Sequence, residues 1–133
     1  MDSSGWLAVA DERDAAHEAV RTARDRWLAE GGVLVTTDYV VDETLTLLRA
    51  RLGLREAHIW WSHVEGSFRV RIEWMTPPRV ERARTWFFGW KDQAYSFTDC
   101  TSFAVMRELK LTHVLTTDDH FRQAGFTVVP DPV

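Results

Sequence analysis

The sequence predicts an α/β domain with a largely parallel sheet. Three observations lead there. Short apolar runs rich in β-branched residues recur along the chain. Between them lie longer segments whose apolar residues repeat at helical spacing. Glycine, proline and aspartate mark the junctions, and strands alternating with helices are the pattern of a parallel sheet covered by helices.

Taken in order, "SSGWLAVADERD" reads as a turn running into a short helix. "DAAHEAVRTARDRWLAEGG" is a stronger helix, with Ala16, Ala19, Val20, Ala23, Trp27 and Leu28 at helical spacing, and Gly31 with Gly32 ends it. "VLVTT" (33–37) is a short strand. Asp38 is expected to cap the next helix, "YVVDETLTLLRARLG", whose stripe is Val41, Leu45, Leu48 and Leu52. "LREAHIWWSHVEGS" forms a further helix. "FRVRIEWM" (68–75) alternates strictly, which predicts a strand with Phe68, Val70, Ile72 and Trp74 inward and Arg69, Arg71 and Glu73 in water. Pro77 and Pro78 open the helix "PRVERARTWFFGWKD", where early proline is tolerated. "FTDCTSFAVMRELK" is a helix entered through Thr98, "THVLTTD" a strand, "DHFRQAG" a short helix closed by Gly125, and "FTVVP" the last strand.

The 133 residues fit one domain, 1–133, without repeats or low-complexity tracts. No apolar run approaches the ~18 residues of a membrane span, and no basic region leads into an apolar one at the start. A single cysteine, Cys100, excludes an intrachain disulfide and suits the reducing cytoplasm, where the protein is expected; Cys100 reads as a small buried hydrophobe. The net charge of −4 argues weakly against a nucleic-acid partner as a bulk property. However, 14 of the 16 cationic residues are arginines, in clusters such as 49, 51 and 55, or 79, 82 and 84. Such clusters are either solvated faces or sockets for phosphate or an acidic partner segment. The seven tryptophans and "TWFFGW" (85–90) are read as core packing or as an interface.

Four acids occupy suggestive positions. Asp2 precedes the first helix, Asp99 starts a helix, and Asp118 stands where a strand runs into a helix. In a parallel sheet such positions gather at one rim. Glu43 lies inside an apolar helix beside Val40 and Leu47. Singly, each has an ordinary reading as a cap, a terminal residue or a boundary glutamate. Jointly, oxygen donors select hard cations such as Mg²⁺ or Mn²⁺, which polarise a phosphate and activate water. Competing chemistries lack their motifs: there is no phosphate loop, dinucleotide turn, nucleophile elbow or zinc-type histidine spacing. His120 follows the acidic pair Asp118–Asp119 and reads as a helix-surface residue within approach of the site.

In this setting "DSSGWLAVAD", "DETLTLL", "SFTDCTSFAVM" and "TTDDHFRQAGF", in that order and spacing, resemble the PIN-domain ribonucleases, specifically the VapC-type toxins of toxin–antitoxin pairs. The resemblance spans nearly the whole chain. It implies a three-layer α/β/α fold and a Mg²⁺- or Mn²⁺-dependent endoribonuclease leaving a 5′-phosphate and a 3′-hydroxyl. The same resemblance makes Asp2, Glu43, Asp99 and Asp118 the metal-site acids; in the mechanism expected from them, Glu43 orients or deprotonates the attacking water. Ser4 and Thr98 match supporting hydroxyls, and Asp119 becomes a neighbouring helix-start residue. It further implies an RNA substrate (tRNA or rRNA), a cognate antitoxin and a homodimer. The alternative is a PIN-fold module that binds a partner without cleaving. One departure stands out: the family places a hydrophobic strand before the first Asp, whereas only Met1 precedes Asp2, so that strand is expected to be shortened or to begin upstream.

Overall fold

The computed structural model describes residues 1–131. Its elements follow the order α1 (Ser3–Ala10), α2 (His17–Ala29), β1 (Leu34–Thr37), α3 (Asp38–Leu52), α4 (Leu54–Gly66), β2 (Val70–Glu73), α5 (Pro77–Gly89), α6 (Phe97–Glu108), β3 (His113–Leu115), α7 (His120–Gln123) and β4 (Thr127–Val129). The α/β class therefore holds, and every paired strand is parallel. β1 runs beside β2 with Leu34 opposite Val70, and β3 runs beside β4 with His113 opposite Thr127.

The sheet is not one continuous ladder. It is two parallel pairs, and the backbone of Met1 and Asp2 lies between them. The Met1 amine donates to the Val35 carbonyl at 2.8 Å and the Asp2 N–H to the Leu115 carbonyl at 3.3 Å. Thr36 Oγ1 donates to the Met1 carbonyl at 3.1 Å. Two residues can bridge the strand pairs but cannot make a ladder, which requires alternating bonds along both edges. A cavity of about 190 Å³ opens beside this bridge, lined by β1, β3 and apolar side chains of α2 and α6 such as Ala23, Trp27, Val105 and Met106.

Two apolar clusters flank the strands. Trp6, Leu7, Val40, Leu48, Trp60 and Val64 join α1, α3 and α4 on β1, with Trp6 edge-on to Trp60 at 5.5 Å. Phe103, Phe121, Phe126, Met106, Val114 and Val128 join α6 and α7 to β3 and β4. Cys100 is buried in this second cluster. Gly5 is required where α1 crosses β3, because a Cβ there would sit 2.5 Å from the Leu115 carbonyl oxygen.

Two local expectations are corrected. Thr37, not Asp38, caps α3, its hydroxyl accepting from Val40 N at 3.1 Å. The Asp38 carboxylate instead accepts from Met75 N and ties the start of α3 to the end of β2. The inward set proposed for 68–75 also fails at its ends. Phe68 is 93% exposed and Trp74 64% exposed, while Glu73 is buried. β2 pleats over only four residues, so its flanks leave the alternation, and Glu73 goes inside because Arg79 and Arg71 pair with it. The "TWFFGW" segment divides: Trp86 packs against Phe103 at 5.1 Å, while Phe88 and Trp90 face solvent.

Most of the arginine clusters are structural. Arg69 donates to the carbonyls of Leu28 and Gly32, capping the end of α2. Arg79 joins Glu73 to Glu108, and Arg82 also reaches Glu108. Arg49 and Arg55 are exposed and make no ion pair among the described residues.

Candidate metal site

The site gathers where β3 ends and where α1 and α6 begin. Asp99 is the third residue of α6. Ser96 caps that helix through a reciprocal box: its hydroxyl accepts from Asp99 N at 3.0 Å, and the Asp99 carboxylate accepts from Ser96 N at 3.1 Å. One Asp99 oxygen is thereby fixed to the backbone, and the carboxylate turns toward the end of β3. Thr98 is not the entry residue, and among the described residues its hydroxyl bonds to none of the acids; only its carbonyl is used, by Thr101.

Asp118 leaves β3 in a turn locked by side chains. Its N–H donates to Thr116 Oγ1 at 2.9 Å, and its carboxylate accepts from His120 N at 2.9 Å. That turn swings the His120 ring between two acids. Nδ1 lies 3.1 Å from Asp99 Oδ2 and 3.4 Å from Asp118 Oδ1. One ligand atom from each of Asp99, Asp118 and His120 lies within 4.8 Å of the others. The other face of the imidazole is fixed by Tyr95, edge-on at 5.4 Å.

Asp2 sits behind this trio as the N-cap of α1. It accepts from Gly5 N at 3.0 Å and from the Ser4 hydroxyl at 2.9 Å. Ser4 in turn contacts Thr116 Oγ1 at 2.9 Å and accepts from Thr117 N at 3.0 Å. A continuous chain of polar contacts thus runs from Asp2 through Ser4 and Thr116 to Asp118. Glu43, from the first half of α3, receives the Ser3 hydroxyl. Asp2 and Glu43 are joined to the site through adjacent serines, but their carboxylates stand outside the tight trio.

Burial and like charge set the electrostatics. Asp2 is 6% exposed, and burial raises its pKa from 3.8 to about 6 against the opposing pull of its hydrogen bonds. Burial also raises Asp99, and the neighbouring Asp118 charge adds to this; the Ser96 N–H and His120 act the other way. A cation would relieve both effects, and oxygen donors with one imidazole suit a hard or borderline divalent ion.

Of the residues expected at the site, Asp99 and Asp118 come together, Asp2 and Ser4 join them by hydrogen bonds, and Glu43 joins through Ser3. Asp119 does not: its carboxylate is turned to Arg122 at 2.8 Å and to Gln123, on the exposed side of α7. From sequence, Ser3, Thr116 and Ser96 are absent from the expected site, and His120 stands only within approach of it, as a helix-surface residue. Two signals were readable: the place of His120 directly after Asp118 and Asp119, and the Ser-x-x-Asp pattern of a capping box at Ser96 ahead of an apolar run.

Comparison with known proteins bears on the family and the fold. The 23S rRNA-specific endonuclease VapC20 of Mycobacterium tuberculosis (strain CDC 1551 / Oshkosh) is 36% identical over 129 residues, covering 97% of this chain and 95% of the relative. The protein of the same name from strain ATCC 25618 / H37Rv matches equally. The crystal structure of Mycobacterium tuberculosis VapC20, described as a Sarcin-Ricin loop cleaving toxin, superposes with a TM-score of 0.87 at 34% identity, over 95% of this chain and 94% of that one. The PIN domain model matches residues 1–127, and the chain belongs to the PIN-domain family.

Proposed function

We propose that this protein is a divalent-metal-dependent endoribonuclease, the toxin of a toxin–antitoxin pair. The observation that carries the reading is the convergence of Asp99, Asp118 and His120 at the end of β3, with Asp2 and Glu43 hydrogen-bonded to flanking serines. Whole-length similarity to an rRNA-specific endonuclease favours ribosomal RNA over tRNA as the substrate.

Asp99 and Asp118, with Asp2 behind them, would hold Mg²⁺ or Mn²⁺. When bound, the ion supplies charge for a phosphoryl oxygen and acidity for a water. The chain's residues do the rest. The capping box fixes Asp99, the Thr116 turn fixes Asp118, and Ser4 fixes Asp2, so the carboxylates need little rearrangement. Glu43, oriented by Ser3, takes the proton of the attacking water. His120 Nδ1 lies within reach of one oxygen each of Asp99 and Asp118, and its contact with Asp99 works against the upward shift that burial and Asp118 impose on that carboxyl.

A cognate antitoxin and a second copy of the chain are the proposed partners. Exposed Trp27, Leu54, Phe68 and Trp74 supply apolar surface for such contacts. Among the described residues no helix is long and apolar enough to cross a membrane. The deciding experiment is incubation of purified protein with ribosomal RNA in Mg²⁺, in EDTA, and with Asp99→Asn. Cleavage only in the first condition is expected. Equal cleavage by Asp99→Asn would reject the site assignment.

A further inference from the structure

A line of aromatic rings runs from Tyr39 on α3, through Phe97 at the start of α6, to Phe87 and Phe88 at the end of α5. Phe97, two residues before Asp99 on α6, is edge-on to Phe87 at 5.7 Å and 85°. Phe87 is edge-on to Phe88 at 5.2 Å and 69°. On the other flank, Tyr39 meets Phe97 at 6.4 Å and lies one helical turn before Glu43 on α3. Its inner members, Tyr39 and Phe97, therefore sit on α3 and α6, the helices that carry Glu43 and Asp99, and its outer members on α5. Its outer member, Phe88, is 70% exposed, and Trp90 beyond it is 51% exposed. Phe87 holds Phe88 by an edge contact, which leaves ring surface bare. Packing against the core does not account for this, since the buried aromatic cluster is served by Trp86 from the same helix.

We propose that Phe88, backed by Phe87 and Phe97, is a stacking platform for an unpaired RNA base next to the phosphate held at the acid pocket. The proposal rests on the ribonuclease reading and names the substrate feature that reading leaves open: a strand whose bases are free to splay. Three features favour a nucleobase over a protein segment. The rings run from the exposed Phe88 back to Phe97 at the start of α6 and to Tyr39 one turn before Glu43, so a strand lying on them is directed toward the helices that carry the acids. Every base has a π face that an exposed phenylalanine can meet, and single-stranded or loop RNA is recognised in this way. Lys91, exposed in the turn leaving α5, makes no ion pair among the described residues and is available to a phosphate.

The test uses the full chain carrying Asp99→Asn, so that binding is read without cleavage. The probe is a short single-stranded RNA containing 2-aminopurine, compared with the same RNA annealed to its complement. The parent should bind the single strand and quench its fluorescence. Adding Phe88→Ala should weaken that binding about tenfold or more and abolish the quench. Phe88→Trp should restore both. Phe88→Leu keeps apolar bulk without a π face and should behave like Phe88→Ala; it also serves if the alanine variant folds poorly. Affinity for the duplex should be the same in all four. Unchanged binding and quenching in both Phe88→Ala and Phe88→Leu would overturn the platform. So would a parent that binds no single strand. A third overturning result is light scattering in which Phe88→Ala converts a dimer to a monomer while RNA binding is unaltered, since the rings would then pair two copies of the chain. Failure of the wild-type chain to cleave RNA would refute the nuclease reading alone.

Discussion

Replacing Asp118 by asparagine separates what the acid pocket does for catalysis from what it costs the fold. Asparagine keeps the oxygen that accepts from His120 N, so the turn after β3 should survive. The charge beside Asp99 is lost. The site oxygens lie within 4.8 Å of one another, a separation at which two full charges repel by about 1 kcal/mol in water and about 3.5 kcal/mol at an effective dielectric of 20. The side chains are 13% and 32% exposed, and contact with His120 works against the upward shift at Asp99, so the lower end applies. Metal-free Asp118→Asn should therefore be as stable as wild type or up to about 1 kcal/mol more stable. It should nevertheless lose the stabilisation that Mg²⁺ or Mn²⁺ gives the wild type, and its RNA cleavage should fall by about 100-fold or more. Asp119→Asn is the control. It removes an exposed pair with Arg122, worth under about 1 kcal/mol, and should leave activity unchanged. The assay is thermal unfolding with and without Mn²⁺, run beside a cleavage time course for all three proteins. Equal activity losses in the two variants, or full metal-induced stabilisation in Asp118→Asn, would refute the reasoning.

Three further outcomes are expected. Asp2 binds its proton more tightly folded than unfolded, so the stability it contributes is present below about pH 4 and lost as pH rises toward 6. The move from 3.8 to about 6 corresponds to about 3 kcal/mol, so in EDTA the urea midpoint of Asp2→Asn should rise relative to wild type between pH 4 and 7; a pH-independent difference would count against it. Gly5→Ala should destabilise by about 2 kcal/mol or more, although alanine favours helices, because its Cβ meets the Leu115 carbonyl; a variant as stable as wild type in urea would show that α1 can shift freely. Ser96→Ala removes the cap of α6 at a cost of about 1 kcal/mol and frees Asp99, so cleavage should fall more steeply than melting temperature, whereas a purely thermal effect would limit Ser96 to stability.

The helices were legible because amphipathic periodicity is local: the stripes of α2 and α3, and the proline start of α5, lie within a few turns of sequence. The acids Asp99 and Asp118 were legible because helix starts and strand ends are themselves readable. Local pattern failed where partners are distant. Glu73 is buried because Arg79 reaches it from the following helix, and Asp38 leaves the cap to Thr37 because Met75 N needs an acceptor.

By itself, then, the sequence determined the α/β alternation and which carboxylates stand at the ends of elements, since both depend on neighbours within a turn or a strand. Only the tertiary structure decided which groups meet. His120 comes to Asp99 across 21 positions, Ser3 to Glu43 across 40, and Ser4 to Thr116 across 112. Asp118 and Asp119 are adjacent in the chain, yet one enters the pocket and the other faces Arg122. The turn after β3, held by the Thr116 hydroxyl, sends successive side chains in different directions, and that hydroxyl is fixed only once α1 has packed across the strand end.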